Sequence, residues 1–256
     1  MSNEIARREI DGVLAEMPSD LRDAKPEGLD HLTAADIAMP RLLIAQQMSP
    51  QLDPSKPQFL EDLRVGEMFN SLTGQIYGKG PLLFGVVRAD MPRWVEFIPK
   101  EQGGGVKDPN VPFGDPRTMF QGTKQPVATK FYDFIVVLLP SKEFIAISFK
   151  STGLKTARQL NGLMQARQKP IYTGAYQLLS VPTQNAKGSF FIPQVKNAGW
   201  LDTPTRLITK EAYDNLKTKT IDIDMPEARG ADAHTDNGDT SFDPAELERQ
   251  ANQAGM

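Results

Sequence analysis

The chain contains no cysteine and two histidines among its 256 residues. The absence of cysteine excludes disulfide bonds, thiolate metal sites and cysteine nucleophiles. His31 and His234 both lie in segments whose composition predicts flexibility, so a buried histidine paired with a serine or a carboxylate is not expected. Catalysis that depends on either residue type is therefore not predicted, and we expect neither an enzyme nor a cofactor.

Long hydrophobic runs are also lacking. The longest apolar run, Phe134–Leu139, is far shorter than the ~20 residues with which a helix crosses a bilayer. The first residues contain no apolar core of the kind that signal peptides carry. We therefore expect a soluble, cytoplasmic protein that has no membrane partner.

Motifs for nucleotide or metal binding are weak. The triplet Gly103–Gly105 lies between Lys100 and Lys107 and resembles a phosphate-binding loop, but it lacks the Gly-Lys-Ser/Thr ending. Asp222 and Asp224 flank an isoleucine and could hold a metal ion, although the same pair fits an ordinary acidic tail. We predict no metal site.

Acidic residues are missing from one long window, Phe144–Leu201, which holds seven basic residues. Residues 1–36 carry nine acidic and four basic residues, and residues 220–256 carry nine acidic and two basic ones. This pattern predicts an acidic, partly helical or disordered N-terminal segment (1–36), a basic domain (37–219) and an acidic disordered tail (220–256). A basic domain between acidic ends is typical of proteins that bind polyanions.

Strand and helix signals are clearest in the second half of the basic domain. Lys155–Gln168 has one apolar face and predicts a helix, whereas residues 101–126, dense in Gly, Pro and Asp, predict an irregular insertion. The fold class is therefore mostly β with minor α: an OB-fold-like five-stranded barrel with a helix between strands 3 and 4, preceded by extra N-terminal strands. The strands assigned to the barrel are 82–98, Thr129–Leu139, Phe144–Lys150, Ile171–Val181 and Ser189–Lys196.

Binding of single-stranded nucleic acid requires basic residues that neutralise phosphates and aromatic rings on which unpaired bases stack. Alternation along the 171–181 strand puts Tyr172 and Tyr176 on one face, and Ile171 and Leu179 on the other. For each aromatic residue the alternative is packing in the core, and for each basic residue a solvated surface charge. The predicted nucleic-acid-binding residues are Lys130, Tyr132, Lys150, Lys155, Arg158, Tyr172, Tyr176, Phe191 and Lys196.

Several segments between residues 37 and 200 resemble bacteriophage single-stranded DNA-binding proteins of the OB-fold type. These segments are Met39–Gln46, Ile147–Asn161, Pro170–Tyr172, Tyr176–Leu178 and Lys187–Phe191. The resemblance implies binding of DNA intermediates during phage replication or recombination in the host cytoplasm, with Lys150, Lys155 and Arg158 in contact with DNA. Such proteins often end in an acidic tip with a terminal aromatic residue, whereas this chain continues past Phe242 to Met256.

The sequence therefore favours non-sequence-specific binding of single-stranded DNA through a basic groove and stacking aromatic residues. Two alternatives stay open: a strand-annealing recombination protein, and a virion or host-takeover protein that binds another protein through the β-scaffold. The expected partners are single-stranded DNA and, through the acidic tail, replication or recombination proteins of phage or host. A homodimer stays open, because the sequence does not determine the oligomeric state.

Overall fold

A computed structural model describes residues 39–185 and 188–217. The predicted N-terminal segment 1–36 and the acidic tail 220–256 lie outside the described residues. The described part contains two α-helices, α1 (Leu154–Ala166) and α2 (Thr203–Leu216). Its strands are β1 (Leu42–Ile44), β2 (Met68–Asn70), β3 (Ile76–Gly78), β4 (Leu82–Ala89), β5 (Arg93–Phe97), β6 (Val106–Val111), β7 (Thr129–Leu139), β8 (Phe144–Lys150), β9 (Gly174–Asn185) and β10 (Gly188–Trp200).

The strands form two antiparallel sheets. A small sheet has the order β1-β2-β3, and a seven-stranded sheet has the order β10-β9-β4-β7-β5-β6, with β8 also paired to β7. The long strand β7 organises the large sheet, because it pairs along one edge with β5 and then β4, and along the other edge with β8. The mostly β prediction is thereby confirmed.

The apolar run of β7 is explained by burial on both faces of the sheet. Phe134 and Val136 belong to the core that α1 covers, whereas Ile135 and Val137 pack in the layer that α2 covers. A strand buried on both sides carries consecutive rather than alternating apolar residues. Each of these side chains contributes about 1.5–3 kcal/mol by leaving water, so β7 is the structural centre of the domain.

Helix α1 lies against the β7, β8 and β10 region of the sheet. Ala157, Leu160 and Met164 are spaced by three or four residues, so they fall on one face of the helix and enter the core. The opposite face is solvent-exposed. Thr156 ties the start of the helix to β10, because its hydroxyl donates a hydrogen bond to the carbonyl of Pro193 at 2.7 Å.

The predicted five-stranded barrel is not closed in the described residues. No ladder joins β8 to β10, the two strands that would have to pair to close it. The segment from Pro40 to Gln46, which contains β1, lies between them instead. The Ala146 amide donates to the carbonyl of Pro40 at 2.8 Å, and the Gln46 side chain bonds the backbone of Phe191 in β10. The architecture is therefore two sheets with one open seam.

The insertion at residues 101–126 is more ordered than its composition suggests. It contains β6, an edge strand that pairs with β5 and can hold a proline. Buried Glu96 of β5 accepts hydrogen bonds from Lys107 Nζ at 2.6 Å and Arg117 Nη1 at 2.7 Å. Arg117 also bonds Asp108 and Asp115, and it lowers the pKa of Asp115 to about 2. This ion cluster fastens the insertion to the sheet.

Candidate functional site

A groove of about 510 Å³ opens between β8 and β10, at the seam where the barrel is not closed. The end of β8 and the turn Ser151–Gly153 form one wall, and the first residues of β10 form the other. Parts of β1 and residues 46–49 complete the lining. We call this the β8–β10 groove. Among the described residues that line it, Arg41 and Lys150 are basic and none is acidic.

Aromatic side chains line the same groove. Phe190 and Phe191 come from β10, Phe149 from β8 and Phe69 from β2. Phe149 and Phe69 are buried in two separate hydrophobic clusters, whereas the two rings of β10 are half-buried. The groove thus combines Lys150, which is partly exposed, with aromatic rings that are partly accessible from solvent, whereas Arg41 is only 2% exposed.

The position of Phe191 is fixed from three sides. Its amide donates to Gln46 Oε1 at 2.9 Å, and Gln46 Nε2 donates to its carbonyl at 3.0 Å. The ring lies against Gly66, whose φ is +86°, and a Cβ at that position would overlap the ring. Lys79 Nζ is 5.0 Å from the ring centroid. The structure therefore brings Phe191 to the groove, together with a basic residue that the sequence did not indicate.

Lys150 lies beside the groove, but its ammonium group contacts aromatic rings. Its Nζ is 5.8 Å from the ring centroid of Phe97 and 5.7 Å from that of Phe131. Strand alternation explains this, because Lys150 pairs with Phe131 and so lies on the face of the sheet opposite Phe149 and the core that α1 covers. Contact of Lys150 with a phosphate remains a prediction.

Lys155 and Arg158 lie on the exposed face of α1, within the first two turns after the Ser151–Gly153 wall. They face the same way, as their spacing predicts. Lys196 is exposed on β10, where it pairs with Gln177. These three residues carry solvent-facing positive charge close in sequence to the groove walls.

The predicted tyrosine face is wrong. Tyr172 lies in the 3-10 turn Ile171–Thr173 before β9 begins, and its ring packs 5.3 Å from that of Tyr213 in α2. Tyr176 has no exposed surface, since its side of β9 enters the core together with Leu178. Burial raises the pKa of the Tyr176 phenol. Tyr176 is therefore a core residue, and its ring is not accessible to a base.

Lys130 and Tyr132 share one face of β7, as predicted. Lys130 Nζ is 5.0 Å from the ring centroid of Tyr132 and 5.7 Å from that of Trp94 in β5. Tyr132 pairs with Phe149 and packs against the core that α1 covers. The two residues thus belong to one cation–π cluster, in which the tyrosine ring is half-buried.

Sequence reasoning did not single out Arg167 among the basic residues of the window Phe144–Leu201. Its guanidinium stacks on the rings of Tyr176 and Trp200, with Cζ 4.9 Å and 4.5 Å from the ring centroids. These partners lie nine and 33 residues away along the chain, so no local pattern could have indicated the contact. The acid-free window was the available signal, since all three residues fall inside it.

Two polar clusters hold the fold together on either side of the hairpin β7–β8. Glu143 accepts hydrogen bonds from Asn70 Nδ2 at 2.5 Å and from the Tyr77 hydroxyl at 2.6 Å, which joins the small sheet to the hairpin turn. Burial and the neighbouring Glu143 carboxylate raise the pKa of Tyr77. Buried Asp133 accepts hydrogen bonds from Arg93 and Ser148. Every group in these clusters has a structural partner, so we assign them no chemistry.

Within residues 39–185 and 188–217 there is no group of three or more histidine, aspartate or glutamate side chains that could hold a metal ion. Neither helix of this part of the chain is long and apolar enough to cross a bilayer.

Comparison with known proteins gives one match. Residues 9–222 match the family model described as Pam3 phage gp34-like protein, and this range includes every residue that the structure describes. No curated protein and no solved structure matches the chain.

Proposed function

The chain belongs to the Pam3 phage gp34-like protein family, and we propose that it binds single-stranded DNA without sequence preference. The family is named for a bacteriophage protein, which supports a phage origin. We further propose that the open seam is a variation on the OB-fold, whose barrel strands commonly hold oligonucleotides. In this proposal the protein acts in phage DNA replication or recombination and performs no catalysis.

The observation that carries the proposal is the chemistry of the β8–β10 groove. Its described lining holds the partly exposed Lys150 and the half-buried rings of Phe190 and Phe191, without an acidic residue, whereas Arg41 is buried beneath it. A single strand needs cations for its phosphates and rings for its bases, and stacking on a ring is worth ~1–3 kcal/mol per base. The groove offers the rings, and the exposed Lys155 and Arg158 next to its wall offer the cations.

Positive charge continues from the groove along α1. The wall formed by Ser151–Gly153 leads directly into the helix, where Lys155 and Arg158 are exposed on one stripe. The window Phe144–Leu201 contains no acidic residue that would repel a phosphate. A DNA strand that leaves the groove can therefore follow α1 without approaching an acidic residue of that window.

Salt dependence of binding tests the proposal. Each phosphate contact on a single strand contributes about −0.7 to the slope of log K against log salt concentration. The double variant Lys155→Gln and Arg158→Gln should weaken binding of a labelled oligonucleotide and reduce the slope by about 1.4. Lys150 is left unchanged, because its ammonium packs on two rings and its loss would also alter the sheet.

The matched control removes two exposed lysines elsewhere. Lys124 lies in the insertion and Lys142 in the turn before β8, at the end opposite Lys150. The double variant Lys124→Gln and Lys142→Gln changes the net charge by the same amount and should leave the slope within error of the native value. Equal slopes for both double variants would contradict a DNA path along Lys155 and Arg158. Absence of oligonucleotide binding at low salt would overturn the proposed function.

A second candidate function, binding of another protein, is favoured by one observation. In the insertion, Phe113 is 92% exposed and Phe120 is 66% exposed, which is unusual for phenylalanine. The double variant Phe113→Ser and Phe120→Ser separates the candidates. Unchanged oligonucleotide affinity leaves the groove as the DNA site, whereas lost affinity would move that site to the insertion. A strand-annealing protein, the other alternative, would accelerate pairing of complementary strands in the same samples.

A further inference from the structure

Trp200, the last residue of β10, presents a large exposed ring that is backed by a cation. Its side chain is 60% exposed, and the Arg167 guanidinium lies 4.5 Å from its ring centroid. The same guanidinium stacks on the buried Tyr176. Since Arg167 covers one face of the indole, the exposed surface of Trp200 is its other face and its edge.

The local backbone is arranged to hold this stack. A β-bulge interrupts β10 between Asn197 and Gly199, and Gly199 has a φ of +101°, which favours glycine. Asn197 Oδ1 accepts hydrogen bonds from Arg167 Nη2 and from the Gly199 amide. The same side chain thus fixes both the guanidinium and the bulge that precedes Trp200.

Close packing beneath the stack leaves no room for a larger residue. A Cβ at Gly174, which pairs with Trp200, would lie 2.7 Å from the Tyr176 hydroxyl and 3.1 Å from Arg167 Cζ. Arg167 Nη2 also donates to the carbonyl of Ala175 at 3.2 Å. The exposed ring therefore lies on closely packed, hydrogen-bonded side chains.

Trp200 and the β8–β10 groove lie at opposite ends of α1. Helix α1 begins at the groove wall and ends next to Arg167, and its 13 residues span ~20 Å. Lys155 and Arg158 are exposed on this helix, and Lys196 is exposed on β10 four residues before Trp200. All of these residues lie in the window that contains no acidic residue.

We propose that Trp200, held by Arg167, is a stacking subsite for one unpaired base of a DNA strand that also occupies the β8–β10 groove. The inference rests on the proposed function. It adds to that function a contact at the end of α1 that is farther from the β8–β10 groove. Stacking on the open indole face is tolerant of base identity, because every base has a π-face. A strand must be long enough to span α1 before it gains this contact.

Tryptophan fluorescence and affinity test the subsite on the full-length chain. The chain has two tryptophans, and the other one, Trp94, is half-buried beside Lys130. An oligo-dT of about 16 nucleotides is at the upper end of site sizes for such folds. Its binding should strongly quench the tryptophan fluorescence of the native protein. Trp200→Phe should lose most of the quenching yet keep most of the affinity, since a phenyl ring still stacks.

Trp200→Ala should weaken binding of the long oligonucleotide by roughly 5- to 150-fold, the equivalent of one lost stack. An oligonucleotide of about 4 nucleotides, too short to span groove and helix, should bind native and variant proteins alike. Leu207→Ala is the matched control, because Leu207 is also 60% exposed and belongs to α2. Thermal unfolding of each variant shows whether a loss of affinity reflects a loss of fold.

The outcomes separate the subsite from the function. Native affinity for Trp200→Ala, together with weakened binding by the Lys155→Gln and Arg158→Gln variant, would refute the subsite and leave the proposed function standing. No oligonucleotide binding by the native chain would refute both. Loss of affinity in Trp200→Ala with recovery in Trp200→Phe supports the subsite.

Discussion

Gln46 substitutes for a missing β-ladder, and its removal should measurably destabilise the domain. Its amide makes two hydrogen bonds with the backbone of Phe191, one as donor and one as acceptor. A neighbouring strand would offer β10 the same pair of groups. The side chain thus satisfies one residue of an otherwise open strand edge and links the segment after β1 to β10.

The expected cost follows from the two hydrogen bonds. Each contributes a net 0.5–1.5 kcal/mol, so Gln46→Ala should lower the free energy of unfolding by about 1–3 kcal/mol. The lower half of this range is expected, because Gln46 and Phe191 are half-buried and water can replace part of the loss. For a domain of this size, about 2 kcal/mol corresponds to a fall in Tm of ~4–8 °C.

Urea and thermal unfolding of Gln46→Ala, measured against Gln47→Ala, tests this interpretation. Gln47 is the adjacent residue and is exposed, so its substitution should change the stability by less than about 0.5 kcal/mol. Both variants lose the same side-chain atoms, so differences in composition cancel. Equal stability of the two variants would refute the claim that Gln46 holds the groove wall.

Two further predictions concern the ion cluster and the acidic tail. Glu96→Gln should lower the free energy of unfolding by about 1 kcal/mol near neutral pH. The loss is small because Lys107 and Arg117 are partly hydrated even in the native protein. Hydrogen bonds from Lys107 and Arg117 lower the pKa of Glu96 below 4.5, so this stabilisation exists above that pH and is lost as the pH falls through the folded pKa. The difference in Tm between native and variant proteins should therefore shrink in acid, and a constant difference would contradict the assignment. Deletion of residues 220–256, which carry nine acidic and two basic residues, should tighten oligonucleotide binding most at low salt. Unchanged affinity would mean that this segment does not compete for the basic surface.

Local patterns predicted the elements of the domain well. The bounds of β7 and β8 agree with the sequence, because a turn at residues 140–143 separates two strongly apolar runs. Helix α1 begins at Leu154, one residue before its predicted start. The agreement is this close because the spacing of its apolar residues is unambiguous. The order of two strands, a helix and two strands also agrees. These features depend on residues close together in the chain.

Features that depend on distant partners were not predictable. The segment 171–181 has apolar residues on both faces, and a shift of one position inverts which of them enters the core. Pairing of β9 with β4 and β10 decides that Tyr176 and Leu178 point inward. The open seam likewise depends on Gln46 and Phe191, which are 145 residues apart. Arg167 acquires its role from rings that only the folded sheet brings to it.

Photo-crosslinking of a single-stranded oligonucleotide to the native chain, followed by identification of the modified peptides, locates the DNA directly. If the strand occupies the β8–β10 groove and follows α1, crosslinks should concentrate in residues 147–158 and 188–200. Excess unlabelled oligonucleotide should remove them, and raised salt should weaken them in step with affinity. Crosslinks concentrated in the insertion at 101–126, or specific binding without any crosslink in the two predicted segments, would contradict the assignment of this surface.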